Sequence, residues 1–79
     1  MDEWDRVWSE EPTENPSSEA RQLAIKLYTA KLLEAKEKDA KENDTYFQDI
    51  LLKHREHNIN LLAKCYQTIL NKEKENEQI

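Results

Sequence analysis

The side chains best suited to chemistry in this 79-residue chain are His54, His57 and Cys65. The histidines stand three positions apart, a spacing that sets two imidazoles side by side on a helix, with Cys65 about two turns further on. A metal site needs three or four converging ligands, and neither a His-Glu-x-x-His nor a Glu-x-x-His pattern occurs. No metal is therefore expected. His54 and Asn58 read instead as polar positions in an apolar seam, where such residues fix register and partner at a cost in stability. Cys65, in the same seam, reads as a small buried hydrophobe, because no glycine-rich turn or helix N-terminus is present to activate its thiol.

Absence carries as much weight. The chain has no glycine at all, so the usual phosphate-cradling loops, nucleophile elbows and oxyanion-hole turns cannot be built. Charged residues make up 37% of the sequence and are spread around helix surfaces, the pattern of a solvated exterior. A non-enzymatic protein without a cofactor is expected, with no catalytic residues.

The element that must carry these residues runs from Thr45 to Leu70. Steps of four and three give a heptad seam of Phe47, Leu51, His54, Asn58, Leu61, Cys65 and Thr68, widened by Ile50, Leu62 and Ile69. A second apolar set, Leu52, Ile59, Ala63, Tyr66 and Leu70, falls about 100° further round. One neighbouring helix can cover only one of the two. Leu52, Ile59, Tyr66 and Leu70 are therefore expected to meet a partner, a second copy or the N-terminal arm.

That arm supplies a second candidate contact. Trp4, Val7 and Trp8 stand at i, i+3 and i+4, so residues 2 to 10 can form a short helix with both indoles on one side and acids in its first turn. Alone, such a segment is too short to hold a helix in water. It must dock, either onto its own chain or onto another protein. The stretch Asp2-Glu3-Trp4-Asp5 resembles the tryptophan-acidic peptides that bind kinesin light chains, over four residues and with Asp2 where that motif has an apolar residue; the resemblance implies docking in trans.

Both prolines precede residue 17, and the segment from Glu10 to Ser18 reads as a linker. Asn15 as cap with Pro16 behind it places the first long helix at about 17 to 42. Its apolar face is wide, running through Ala20, Leu23, Ala24 and Leu27 and on through Ile25, Tyr28, Leu32 and Ala35. Asn43, Asp44 and Thr45 form the one cluster of cap-type residues in the helical stretch, and Thr45 with Gln48 matches a capping box, so a second helix is expected at about 45 to 73 with a fraying tail. The alternative is one unbroken helix from about 17 to 75. The hairpin is preferred because it lets the two apolar faces meet.

The fold class is thus all-α: an antiparallel helical hairpin behind an acidic arm and linker (1 to 16), completing a helical bundle with a partner or second copy. A chain this small buries only about 60% of the surface its unfolded form exposes, which favours a partner. The net charge of −5 is concentrated in residues 1 to 19, with seven acids and one base, against eleven bases and ten acids in the rest. That balance argues against nucleic acid. The rival reading, a dimeric hairpin binding RNA through Arg21, Lys26, Lys31 and Lys36, runs against the scatter of those bases. Apolar runs are far too short to span a membrane, and the acidic start and the single cysteine fit no signal peptide or internal disulfide; an intracellular setting is expected. The expected function is protein–protein interaction, as a small helical subunit or as a regulator or inhibitor of a larger target.

Overall fold

A computed structural model describes residues 2 to 13 and 15 to 77. Met1, Glu14 of the acidic arm, and Gln78 and Ile79 of the tail lie outside the described residues. The chain forms α1 (Glu3–Trp8), α2 (Ser18–Glu42), α3 (Tyr46–Lys53) and α4 (Arg55–Glu77). Helices α2 and α4 pack antiparallel as a hairpin, with α3 on the C-terminal half of α2 and α1 against α4. The radius of gyration is 14.3 Å, above the roughly 12 Å of a compact chain this long. An elongated hairpin has little interior, and that sets the problem its surface must solve.

Helix α2 opens two positions later than the Asn15 cap implied. Ser17 is the cap, its hydroxyl accepting from the Ala20 amide at 3.2 Å, while its own amide donates to Gln67 Oε1 at 2.8 Å. The helix closes at Asn43, which takes a left-handed conformation (φ 55°). The Asn43 amide then reaches the Ala40 carbonyl at 3.3 Å and the Asp44 amide the Asp39 carbonyl at 2.8 Å, the paired bonds of a Schellman turn. In a chain without glycine, asparagine is the residue that tolerates this backbone best.

The expected capping box at Thr45 is absent. Thr45 makes no side-chain cap bond; its hydroxyl lies 3.0 Å from Asp49 Oδ2. The cap comes from the preceding helix, where Asp39 is fully buried and accepts from the amides of Phe47 (3.2 Å) and Gln48 (2.8 Å). Burial pushes the Asp39 carboxyl up, but these amide donors, with Lys38 nearby, outweigh it and hold the group below the usual carboxylate value.

The helix expected at about 45 to 73 is divided at His54. Tyr28, fully buried on α2, donates its hydroxyl to the Leu51 carbonyl and accepts from Asn58 Nδ2 at 3.3 Å. A hydroxyl set on a carbonyl of the helical ladder is a recognised cause of a bend. The ladder resumes with the Asn58 amide on the His54 carbonyl at 2.9 Å. At the other end α4 continues to Glu77, past the expected fraying point, since Lys, Glu and Asn without glycine or proline give it no stop.

The core cluster consists of Val7 from α1, Ala20, Ala24, Leu27 and Tyr28 from α2, and Leu62, Ala63, Cys65 and Tyr66 from α4. Alanines at the α2 contact let the two long helices approach closely. Among the described residues no helix is long and apolar enough to cross a membrane.

Candidate partner-binding surface

The arm is seated on its own hairpin. Trp4 and Trp8 meet edge to face at 5.4 Å, and Trp4 lies 5.9 Å from Tyr28. Lys31 stands 5.6 Å over the Trp4 ring while pairing with Asp2 at 2.9 Å and Glu34 at 3.2 Å. Hydrogen bonding to Lys31 holds the Asp2 carboxyl below its ordinary range, and the same bond holds the Lys31 ammonium above its own. The Tyr66 hydroxyl donates to Glu3 at 2.9 Å; burial first, and the Glu3 carboxylate second, push that phenol well above its usual value. Beyond α1 the linker runs along α4: the Cys65 thiol donates to the Glu10 carbonyl at 3.4 Å, Thr68 to that of Glu11 at 2.6 Å, and Lys72 pairs with Glu10 at 2.7 Å. Burial, then the Glu10 charge, pushes the Cys65 thiol up.

This docking redistributes the two sets read from the sequence. Of the residues assigned to a partner, Val7 and Tyr66 are buried in the chain's own core, and Trp4, Trp8, Ile59 and Leu70 are half-buried against it. Leu52 alone of that set stands out in solvent. Of the seam, Cys65 is buried, while Phe47, Leu51, Asn58 and Leu61 are half-buried. His54 is a correction: it is exposed rather than in the seam, because the bend at that residue turns it outward. His57 is exposed too and Cys65 is covered by the linker, so the three are not a cluster; among the described residues no three His, Cys, Asp or Glu side chains could hold a metal ion.

Three of the five large apolar side chains left exposed among the described residues lie on α3, the other two being Ile25 and Leu33 of α2. Five of its eight residues, Tyr46, Phe47, Ile50, Leu51 and Leu52, are large and apolar or aromatic, and none is buried. Tyr46, Ile50 and Leu52 are 59%, 41% and 52% exposed. Helix α3 forms a ridge with a shallow groove on either side. The first groove, about 510 Å³, is lined by Leu52 and Lys53 of α3, Ile25 of α2, and Arg55, Glu56 and Ile59 of α4. The second, about 280 Å³, runs between Phe47, Ile50 and Leu51 of α3 and Lys31, Ala35 and Lys38 of α2, with Trp4 at its end. In this groove Lys38 lies 4.3 Å over the Phe47 ring.

Tyr46, Ile25 and Ile50 were missing from the partner set read in the sequence. A signal existed, since Tyr46 to Leu52 is the densest run of large apolar residues in the chain, but on an unbroken helix it merges with the seam. No protein-family model, curated protein or solved structure matches the chain.

Proposed function

We propose that this chain is a non-enzymatic protein–protein interaction module, a small helical subunit or regulator of a larger target, and that α3 is its partner-facing element. The observation that carries the reading is the contrast between apolar content and burial on α3. A helix with five large apolar residues in eight and none buried departs from the ordinary rule that such side chains go inside. Contiguous exposed apolar surface on a small chain is the usual mark of a protein contact.

The ridge is also held in place before any partner arrives. Asp39 fixes its first turn and Tyr28 its last, so little ordering cost remains to be met on binding. The elongated hairpin supports the same reading, since it offers long flanks on which a partner helix can complete a bundle. The RNA alternative draws less support: of its four bases, Lys31 is committed to Asp2 and Glu34. The chain's buried polar network serves to fix helices, and no substrate chemistry is assigned to it.

The test is a variant carrying Ile50→Asp and Leu52→Asp. Both residues are exposed, so the variant should keep wild-type helicity and thermal stability while losing the protein that co-purifies with the wild type from the native host. Retention of that protein by a folded variant removes α3 from the contact.

A further inference from the structure

Lys31 and Lys38 stand seven residues apart on α2, on the same face and about 10 Å apart along the axis. The surroundings of the two ammonium groups repeat in part. At Lys31 an aromatic ring, Trp4, lies beneath the ammonium, and a carboxylate from outside α2, Asp2, lies upon it at 2.9 Å. At Lys38 a ring again lies beneath, Phe47 at 4.3 Å, but no ion pair is formed among the described residues. Glu42, one turn later on α2, is exposed and forms no ion pair among the described residues, while two other carboxylates close in sequence are committed elsewhere. Glu34, one turn earlier, is on Lys31 at 3.2 Å, and Asp39 is turned onto the amides of Phe47 and Gln48.

Between the two lysines lies the groove of Trp4, Ala35, Phe47, Ile50 and Leu51. One end is already occupied by α1, an acidic segment with apolar anchors. The flank that receives this segment continues unoccupied to Lys38. Resting on the α3 reading above, we infer that this groove binds an acidic, apolar-anchored segment of a partner protein, placing a carboxylate on Lys38 and an apolar side chain between Trp4 and Ile50. The partner segment extends the line of α1 along α2, repeating at Lys38 the contact that Asp2 and Trp4 make at Lys31. Glu34, exposed at the rim, is the one carboxylate lining the groove and opposes it, as do Glu37 and Glu42 beside Lys38 on α2.

The test uses the full chain, labelled for NMR, and two synthetic amphipathic peptides with the same leucine ridge, one flanked by glutamates and one by lysines. The glutamate peptide should shift the Phe47, Ile50 and Leu51 amides and the Trp4 indole saturably, with affinity falling as salt rises. The lysine peptide should bind at least about fivefold more weakly. Lys38→Met should weaken the glutamate peptide about fivefold, Glu34→Gln should tighten it, and Lys38→Glu should reverse the preference between peptides. Equal binding of both peptides, shifts confined to Ile25, Leu52 and Ile59, or no saturable shift would overturn the inference. So would movement of the same signals with protein concentration alone, since a second copy would then fill the groove. If the peptides fail while the Ile50→Asp and Leu52→Asp variant still loses its partner, this inference falls and the α3 reading stands.

Discussion

The hydroxyl of Tyr28 is bonded to the carbonyl of Leu51, so a buried residue in the middle of α2 holds the last turn of α3 and sets the bend at His54. Replacing Tyr28 with phenylalanine keeps the packing and removes the bond. The variant should lose about 1 kcal/mol of stability, and the Arg55 amide should become protected from hydrogen exchange as the ladder between α3 and α4 closes. An Arg55 amide that exchanges as before would show that the bend has another cause.

Asp39 makes the α3 cap sensitive to acid. Its folded-state value lies below the ordinary 3.8, so the unfolded chain takes up the proton first. The stabilisation is whole above about pH 4 and is lost as pH falls from there through the lower folded value. Asp39→Asn should melt roughly 5 to 10 °C lower at neutral pH, and the gap should narrow in acid. A gap that stays constant down to pH 2 would contradict this account of the cap.

The turn between the long helices was legible and its chemistry was not. Asn43, Asp44 and Thr45 marked the place because their side chains suit caps, and the left-handed backbone at Asn43 fits that reading. The cap itself comes from Asp39, whose sequence neighbours are almost all charged; its burial depends on α3 folding back over it, a contact that local spacing cannot register. The same limit applies to His54, placed in the seam by a periodicity that assumed an unbroken helix. Tyr66 and Val7 were expected at a partner contact and lie in the chain's own core; whether an arm closes on its own chain depends on linker path and on pairs such as Glu3 with Tyr66, which lie 63 positions apart.

Docking of the arm has a built-in reporter in Cys65, buried beneath the Glu10 carbonyl. Deleting residues 1 to 10 should speed labelling of this thiol by roughly tenfold or more, by removing both its cover and the nearby Glu10 charge. Val7→Ala should cost about 2 kcal/mol while leaving the arm in place. Unchanged labelling after the deletion would mean that the arm does not sit on α4.

Alkali should release the arm through Tyr66. Its phenol is held above the ordinary value of 10.0 in the folded chain by burial and by Glu3, so the unfolded chain ionises first. The stabilisation is complete below about pH 10 and is lost as pH rises towards the folded value. The stability difference between wild type and Tyr66→Phe should therefore shrink above pH 10. A difference that holds steady through that range would detach Tyr66 from the arm's anchorage.

The central claim is that α3 faces the partner, and site-specific photo-crosslinking in the native host tests it most directly. A benzophenone side chain at position 50 or 52 should give a discrete cross-linked product, whether to another protein or to a second copy. The same group at position 22, on a polar exposed stretch of α2, should give none. Products from position 22 equal to those from positions 50 and 52, or products from position 8 on the arm with none from α3, would contradict the account.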